Sequence, residues 1–433
     1  MNQVAYNFKC IIIIFSLNST QVYFHNSSVV IEIEACILNI VILGYFYFAD
    51  NYIRVAHNNG HKVVVIESDC EKAENDSRVD RVINVNLTGE NAYREILDSL
   101  DGIQVGAILP GHVFHVALVS KICETLSLPS ISYEAALKCL SKIEMRKELN
   151  RHSIDQPGFV VFQDGVSLDK LSQDLIVKPE KGFASIGVVR AYDHEQALDY
   201  AKKANGALSY SSNVNFDSEV LIEECLTGTE YSAEVLCEAG TITVLGITGK
   251  HFNKEESSFE TGFFIPTSLS EDDKKKIGDY IHSVYGCLNI DHGLSHCEFV
   301  LTDSGPKVIE INPRIGGAHL SDLYDLATGV DLFEVSMNNA LGRPSGLNSL
   351  SPKGYTSTGW LLGAKGTIKN VTVPEINDDN VRIFVRKDQG SVVPGLGDNR
   401  DRVLSIIATD TTNDQVTRTI NDIKNQCTVL YYD

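Results

Sequence analysis

The sequence has no CxxC pair and no cluster of histidines and cysteines, although ten cysteines are spread over its 433 residues. Metal-binding cysteines need close and regular spacing, so this absence argues against a zinc or iron–sulfur site. Scattered cysteines without a pairing pattern are typical of a reduced compartment. We therefore expect a cytoplasmic protein.

Positive charge is also scarce. The chain has 37 lysines and arginines against 57 aspartates and glutamates, which gives a formal net charge of −20. Polyanions repel such a chain, so nucleic acid and anionic membrane are disfavoured as main partners. An apolar run at residues 10–17 is too short to cross a bilayer, and no clear cleavage site follows it. We expect residues 1–37 to form an N-terminal extension before the first regular strand.

The glycine fingerprint GxGxxG of dinucleotide-binding domains is missing as well. Residues 39–44 (NIVILG) and 61–67 (HKVVVIE) read as buried strands, and the helical stretch between them ends at Gly60. This strand–helix–strand order predicts a parallel sheet. The first turn, GYFYFA, offers no preformed pyrophosphate cradle, which disfavours a dehydrogenase. The same alternation of strand and helix predicts strands near 82–86 and 104–109 and helices near 89–100 and 113–127.

The most informative stretch is residues 295–317, SHCEFVLTDSGPKVIEINPRIGG. Two strand-like runs flank a turn at residues 303–305, which predicts a β-hairpin. If the hairpin is centred on this turn, Glu298 lies directly across from Glu310. Side chains alternate between the two faces of a strand, so Val308 should share the face of Glu310.

Facing carboxylates repel each other unless a cation lies between them. Glu298 and Glu310, together with the amide oxygen of Asn312, form an all-oxygen set of the kind that Mg²⁺ prefers alongside substrate phosphates. Arg314 adds a fixed positive charge. The alternative is a polar, solvated sheet face whose spacing has no function.

These residues carry a resemblance. The sequence HCEF, followed after a gap by IEINPRIGG, resembles the metal-binding end of the ATP-grasp superfamily of carboxylate–amine ligases. The resemblance implies an α/β ATP-grasp fold with a Rossmann-like N-terminal domain, a central domain with a mobile lid, and a small α/β C-terminal subdomain. The expected boundaries are 1–37 for the extension, 38–130 for the Rossmann-like domain, 131–345 for the ATP-grasp domain with its lid at about 157–228, and 346–433 for the subdomain.

The resemblance also implies a phosphate-binding lid. The strand LIVKP places Lys178 at its end, and the loop EKGFASIGV follows with its small residues Gly182, Ser185 and Gly187. Backbone N–H groups of small residues can approach phosphate oxygens closely, and a lysine adds a point charge. The expected ATP-binding residues are Lys142, Lys178, Ser185, Gly187, Glu223, Glu224, Leu226, Glu230, Glu298 and Glu310.

In such proteins the crossover at residues 220–234, VLIEECLTGTEYSAE, is the adenosine slot. Glu223 would meet the adenine amino group, and backbone near Glu224 and Leu226 would contact the ring edge. Glu230 would accept both ribose hydroxyls, since carboxylates accept well from hydroxyl and amino donors. The alternative for this stretch is an exposed acidic hairpin.

The remaining expected site residues also follow from the resemblance. Lys250 is the candidate for an additional phosphate lysine, although Lys254 is close enough to take its place. The expected metal ligands, for Mg²⁺ or Mn²⁺, are Glu298, Glu310 and Asn312. The expected catalytic residues are Lys178, Lys250 and Arg314. The expected substrate-binding residues are Glu260, His296, Arg314, Gly316 and Gly317.

The implied activity is an ATP- and Mg²⁺-dependent ligase that activates a carboxylate as an acyl phosphate and joins it to an amine, with release of ADP and phosphate. The L-amino acid ligase branch is the most similar, so the expected partners are a small-molecule carboxylate and a small-molecule amine, with amino acids favoured for both, and a homodimer is typical. Three alternatives stay open. They are the loading of an amino acid onto a carrier protein, a carboxylase subunit of the biotin or purine type, and a non-catalytic ATP-binding regulator.

Overall fold

The computed structural model describes residues 21–25, 28–32, 37–182, 187–204, 209–211, 214–215, 219–252, 260–395 and 399–432. The chain forms two compact units, Met1–Leu38 and Asn39–Asp433. In the first unit, β1 (Gln21–His25) pairs antiparallel with β2 (Ser28–Glu32). The expectation that regular strands begin only after residue 37 is therefore wrong. Within the described ranges no helix is both long and apolar enough to cross a membrane.

The second unit begins with a four-stranded parallel sheet in the order β5-β4-β3-β6. All but the end residues of its two central strands are buried, as their continuous apolar runs predict. The predicted strand–helix alternation is confirmed. The strands are β3 (Asn39–Leu43), β4 (Lys62–Glu67), β5 (Arg81–Asn84) and β6 (Val105–Pro110), and the helices are α1 (Ala49–Asn58), α2 (Glu71–Glu74), α3 (Ala92–Ser99) and α4 (Val116–Leu126).

The sequence of residues 132–154, SYEAALKCLSKIEMRKELNRHSI, predicts one helical region with Lys142 in its middle, but the structure has two helices there. α5 (Tyr133–Leu140) ends at Ser141, whose backbone is extended, and α6 (Lys142–Arg151) starts immediately after it. The Ser141 hydroxyl accepts a hydrogen bond from Glu144 N and so caps α6. Lys142 is therefore the first residue of a helix and not the middle of one.

A small antiparallel sheet in the order β7-β12-β8-β9 comes next, and α7 (His194–Ala204) covers one face of it. The apolar side chains of this helix and these strands form a separate core. The strands of this region are β7 (Phe159–Val161), β8 (Leu175–Pro179), β9 (Val189–Ala191), the pair β10 (Ser209–Ser211) and β11 (Val214–Asn215), and β12 (Val220–Glu224).

The largest sheet has eight antiparallel strands in the order β17-β16-β13-β14-β15-β18-β22-β20. Through the pairing of β15 with β18 it runs without a break into the C-terminal part of the chain. The strands are β13 (Thr229–Glu238), β14 (Thr241–Phe252), β15 (Glu260–Ile265), β16 (Gly293–Thr302), β17 (Gly305–Asn312), β18 (Tyr355–Leu362), β20 (Val381–Val385) and β22 (Arg402–Asp410).

Helices flank this sheet, and a second small sheet lies at the C-terminal end in the order β21-β19-β23. Ser270 caps the longest of the helices by accepting from Asp273 N, as the sequence SEDD predicts. The helices are α8 (Glu271–Leu288), α9 (Leu320–Thr328), α10 (Leu332–Ala340) and α11 (Asn413–Gln426), and the strands are β19 (Gly366–Thr372), β21 (Val392–Val393) and β23 (Thr428–Tyr431).

The predicted hairpin is present, but its register contains a bulge. Near the turn Phe299 pairs with Val308, whereas Glu298 pairs with Glu310, so Ile309 is an extra residue in β17. Glu298 therefore does lie across from Glu310. The prediction that Val308 shares the face of Glu310 is wrong, because the bulge turns Val308 into the hydrophobic core with Phe299.

The close approach of β15 and β18 makes Gly262 sensitive to substitution. A Cβ at Gly262 would lie 2.1 Å from the carbonyl oxygen of Thr358. We expect Gly262→Ala to lower the free energy of unfolding by about 1–3 kcal/mol, because one of these strands must move. Apart from its chain neighbours and the backbone of α8 itself, a Cβ at Gly278 would meet no atom within 4 Å, so Gly278→Ala should raise stability by about 1 kcal/mol. Urea unfolding measures the change in stability of both variants. Equal changes would contradict the close contact between β15 and β18.

Candidate active site

A buried lysine lies among three carboxylates on one face of the large sheet. The side chain of Lys250, on β14, is only 1% exposed. Its Nζ lies 2.6 Å from Glu260 on β15 and 2.5 Å from Glu298 on β16, and it also donates to Glu230 on β13. Burial alone would lower the pKa of Lys250, but the three carboxylates raise it well above its ordinary value. Lys250 is therefore charged wherever the protein is folded at ordinary pH.

His296 contacts the other side of Glu298. Its Nε2 lies 3.3 Å from Glu298 Oε1, and its Nδ1 lies 2.5 Å from Glu234 Oε1 on β13. Burial would lower the pKa of His296, but Glu234 raises it to about 9, so the imidazole is charged at neutral pH. Burial would raise the pKa of the Glu298 carboxyl, but Lys250 and the charged imidazole of His296 hold that pKa well below its ordinary value. Glu298 is thus ionised, and it shares one strand face with His296.

Glu310, across the hairpin, has a cation of its own. Lys142 Nζ lies 3.0 Å from Glu310 Oε2, and Asn312 Nδ2 donates to Glu310 Oε1 at 2.8 Å. Arg314 Nη2 in turn donates to Asn312 Oδ1 at 3.0 Å, and its guanidinium lies over the ring of Phe48 at 5.4 Å. Burial would raise the pKa of Glu310, but Lys142 lowers it below the ordinary value. Both facing carboxylates are therefore ionised, and each has a separate lysine.

Lys178 lies at the end of β8 and faces Glu223 on β12. Lys178 Nζ and Arg146 Nε each lie 2.6 Å from the Glu223 carboxylate, one on each oxygen. Burial would raise the pKa of Glu223, but the two cations lower it to about 2, while burial lowers the pKa of Lys178. Arg146 Nη2 also donates to the carbonyl oxygen of Ile309 at 3.1 Å. Arg146 therefore ties the small sheet to the bulge of the hairpin.

Part of the backbone of the predicted adenosine slot already forms hydrogen bonds within the protein. Glu224 N donates to Gly158 O at 2.9 Å, and the Glu224 carboxylate accepts from Gly158 N and Ser172 N at 3.1 Å each. The N–H of Glu224 is thus not free to contact an adenine edge. Leu226 is half-buried between β12 and β13, and its backbone remains a candidate for contact with the adenine edge. The carboxylate of Glu223, predicted to meet the adenine amino group, already accepts from two cations.

The loop after the hairpin has a constrained backbone. A Cβ at Gly316 would lie 2.4 Å from the side chain of Leu320, whereas Gly317 has open space around it. Ala318 and His319 then adopt left-handed conformations, with φ of 55° and 65°. Such conformations cost on the order of 1 kcal/mol or more per residue outside glycine, and they cluster at functional sites.

The lid loop is only partly described. Ser185 lies outside the described residues, as does Lys254, the alternative to Lys250. Gly182 and Gly187 flank the segment that contains Ser185. The carbonyl oxygen of Gly182 accepts from Lys142 Nζ at 3.3 Å, so the same lysine contacts both the lid and Glu310. Gly187 has φ of 78°, which favours glycine.

Two buried residues of the site were missed in the sequence. Arg146 follows Lys142 by four residues on α6, and this helical spacing places both on one face. Glu234 follows Glu230 by four residues on β13, so strand alternation puts both on the same side as Ser232. The Glu234 carboxylate also accepts from Gly316 N at 3.4 Å. Periodicity was therefore a usable signal in both cases.

The donor set fits a hard divalent cation. Glu298, Glu310 and Asn312 offer oxygen atoms, and both carboxylates are held ionised. Mg²⁺ is bound by one or two carboxylates together with substrate phosphates. Phosphates also need cations, and three buried lysines, Lys142, Lys178 and Lys250, reach the same region. The arrangement can therefore hold a polyphosphate and its metal between the small sheet and the hairpin.

Comparison with known proteins bears on the fold and on the relatives of this chain. The ATP-grasp domain family matches residues 171–322. The alanine–anticapsin ligase of Bacillus subtilis (strain 168) is 24% identical over 271 residues, which cover 58% of this chain and 57% of that protein. The L-arginine-specific L-amino acid ligase of Bacillus subtilis is 25% identical over 255 residues, which cover 55% of this chain and 59% of that protein.

A solved structure extends the likeness to nearly the whole chain. The L-amino acid ligase from Bacillus licheniformis superposes with a TM-score of 0.76 at 19% identity, over 92% of this chain and 99% of that one. At this identity the likeness concerns the fold. This chain spans less than two thirds of the length of the curated relatives it matches first, with 61%, 27% and 57% of their lengths covered. The predicted fold is confirmed by this likeness, and the ATP-grasp domain model matches residues 171–322 within it.

Proposed function

We propose that this protein is an ATP-dependent ligase that joins a carboxylate to an amine and releases ADP and phosphate. The observation that carries the proposal is the pair of ionised, facing carboxylates Glu298 and Glu310, with buried lysines beside them. Carboxylates that face each other across a hairpin need cations. Mg²⁺ bound with ATP would supply the positive charge that the two carboxylates need. The lysines would supply positive charge to the ATP phosphates.

Each part of the site has a proposed role in binding ATP. Glu298, Glu310 and Asn312 hold Mg²⁺ or Mn²⁺, which neutralises phosphate charge when bound. Lys178 and Lys142 bind phosphate oxygens from the lid side, and Lys250 does so from the sheet. Glu230 accepts from the ribose hydroxyls, and the Leu226 segment contacts adenine. The lid loop with Ser185 and Gly187 covers the phosphates.

The proposed reaction has two steps. A carboxylate oxygen of the first substrate attacks the γ-phosphorus of ATP, the bond to the β–γ bridging oxygen breaks, and ADP leaves with that electron pair. The amine of the second substrate then attacks the acyl carbon, loses a proton and expels inorganic phosphate. Arg314 and the lysines stabilise the charge on the transferred phosphoryl group, because this chemistry depends on positioning and electrostatics. A closed lid keeps water away from the acyl phosphate.

Amino acids are the proposed substrates. Two curated relatives are ligases named for amino acids or their analogues, and the solved neighbour is an L-amino acid ligase. Glu260 lies beside Lys250 at the edge of the proposed phosphate site, where a carboxylate suits a substrate ammonium group. Gly316 and Gly317 let the backbone approach the same substrate.

The test of this function is the release of ADP and phosphate from MgATP across a panel of single and paired L-amino acids, with hydroxylamine as a trap in parallel wells. We expect ADP formation that depends on one amino acid and gives its hydroxamate when trapped. Amide formation should then require an amine. Formation of AMP and pyrophosphate would contradict the mechanism, and silence across the panel would contradict the substrate class.

The metal site gives a first prediction. Glu310→Gln keeps the shape of the side chain but removes one of the two charges of the metal site, so ADP release should fall by about a thousandfold or more, as is typical when a group that stabilises transferred charge is lost. Glu271→Gln, an exposed substitution on α8, is the matched control and should leave ADP release unchanged. Normal turnover by Glu310→Gln at saturating substrate would rule out the metal site.

The lid gives a second prediction. Lys178→Ala should raise the KM for ATP by about tenfold or more, because a charge-assisted contact to phosphate is lost. The KM for the amino acid should change much less. Lys274→Ala, an exposed lysine on α8, serves as the control for loss of one positive charge. Equal changes in both KM values would remove Lys178 from the nucleotide site.

A further inference from the structure

His319 stands immediately before α9 in an unusual conformation. Its backbone is left-handed, with φ of 65°, and Ala318 before it has φ of 55°. Residues other than glycine adopt this conformation rarely, and they keep it only where surrounding contacts hold them. The His319 side chain makes no capping hydrogen bond to α9. Helix capping therefore does not account for the position of this histidine, so the contacts of its ring decide what it does.

The His319 ring is fixed by an aromatic ring and by a carboxylate. It stacks on Phe384 of β20, with the ring centroids 3.9 Å apart and the planes 17° from parallel. Its Nδ1 lies 3.0 Å from Asp322 Oδ2 on α9. The other oxygen of Asp322 lies 3.8 Å from Arg382 Nη1, and Arg382 also pairs with Asp325 at 2.8 Å. Both the plane of the imidazole and the direction of its Nδ1 are therefore set.

The contact with Asp322 leaves the second ring nitrogen of His319 able to accept a proton. An ionised carboxylate can only accept a hydrogen bond, so this contact assigns the proton of the neutral imidazole to Nδ1. Nε2 then carries a lone pair, and no described residue forms a hydrogen bond with it. A carboxylate, an imidazole that it orients and an open Nε2 form the pattern of a general base.

The loop that carries His319 lies against the candidate active site. Gly316 N donates to the carboxylate of Glu234 at 3.4 Å, and a Cβ at Gly316 would lie 2.8 Å from His296 Nδ1. A Cβ at Gly317, by contrast, would meet no atom within 4 Å apart from its chain neighbours. The loop is thus packed on the active site at Gly316 and open in front of Gly317, two residues before His319.

Tyr47, in the loop after β3, joins His319 to Arg314. The Tyr47 hydroxyl accepts a hydrogen bond from His319 N at 3.1 Å, and its ring lies 5.1 Å from the ring of Phe48. The guanidinium of Arg314 lies over Phe48 at 5.4 Å, and that of Arg386 lies over Tyr47 at 5.5 Å. An unbroken series of contacts therefore runs to His319 from Arg314, the residue proposed above to stabilise the transferred phosphoryl group.

We propose that His319 is the general base of the second step and that Asp322 positions it. This inference rests on the proposed ligase function and deepens it. The amine enters as an ammonium group and loses one proton to solvent. As its nitrogen forms the bond to the acyl carbon, His319 Nε2 takes a second proton, and phosphate leaves with the electron pair of the acyl C–O bond. The imidazolium then returns its proton to water or to the released phosphate.

Such a base serves only the second step. The first step transfers a phosphoryl group from one oxygen to another and depends on positive charge. In the second step the attacking nitrogen carries a positive charge until a proton leaves it, and a base within reach contributes about a hundredfold or more. Loss of His319 should therefore slow amide formation and leave formation of the acyl phosphate intact.

Amide and hydroxamate formation, measured side by side, separate the two steps. Hydroxylamine is largely unprotonated at neutral pH, and at high concentration it reacts with an acyl phosphate without a protein base. His319→Asn removes the base but keeps a residue that tolerates a left-handed backbone. Its kcat for amide formation should fall by about a hundredfold with the KM for the amine little changed, while hydroxamate formation stays within about threefold of wild type. ADP release should then exceed amide release, because the acyl phosphate hydrolyses.

Two further variants test how His319 works. Asp322→Asn keeps the shape of the side chain but removes the charge that fixes the proton on Nδ1. It should lower the ratio of amide to hydroxamate by about tenfold or more, because the imidazole loses its orientation and tautomer. His282→Asn is the matched control, since His282 is an exposed histidine on α8. It should leave the ratio unchanged.

The ratio of amide to hydroxamate decides the proposal. A fall of about tenfold or more in His319→Asn supports a catalytic role. A smaller fall, or equal losses of both products, would overturn it, because His319 would then only hold the loop. An unchanged ratio in Asp322→Asn would overturn the pairing with Asp322. Absence of hydroxamate from the wild type with every amino acid would instead count against the ligase function itself.

Discussion

The candidate active site depends on the compensation of buried charge. Glu230, Glu260 and Glu298 converge on the single ammonium group of Lys250, and Glu310 has Lys142. Removing one partner from such a buried set leaves a charge that costs several kcal/mol, so these strands can hold their register only as a group. The same balance makes the site responsive, because a polyphosphate and a divalent cation can take over the contacts that lysines and carboxylates make with each other.

The bulge at Ile309 determines how this charge is arranged. Without the extra residue, the register near the turn would place Glu298 opposite Ile309, and Glu310 would point away from it. With the bulge, both acids lie on one face, while Val308 joins the hydrophobic core. The carbonyl oxygen of Ile309 accepts from Arg146, which also holds Glu223 and thereby Lys178. One irregular residue therefore links the metal-binding hairpin to the sheet that carries the lid lysine.

Much of this arrangement could be predicted from local patterns. The parallel strands, the hairpin and the acids of its two strands follow from alternation and from turn residues, and the resemblance of HCEF and IEINPRIGG to the ATP-grasp superfamily implied the fold. Other features depend on contacts between distant segments. The register of Glu298 and Glu310 was predicted correctly without the bulge that produces it, and Ser141 divides a region that periodicity presented as one helix. Arg386 and Tyr47 come together only through tertiary packing, so no spacing in the sequence relates them.

The three buried lysines of the candidate active site share one electrostatic feature, and this feature bears on specificity. Lys142, Lys178 and Lys250 each have a carboxylate partner, so a phosphate must compete with an acid for each of them. A singly charged carboxylate that displaced one of these acids would leave the charge of that acid without a cation, which is costly in a buried site. A polyphosphate that brings its own metal supplies both an anion for the lysines and a cation for the acids. The three lysines are thus suited to nucleotide phosphate and not to a substrate carboxylate, although both are anions.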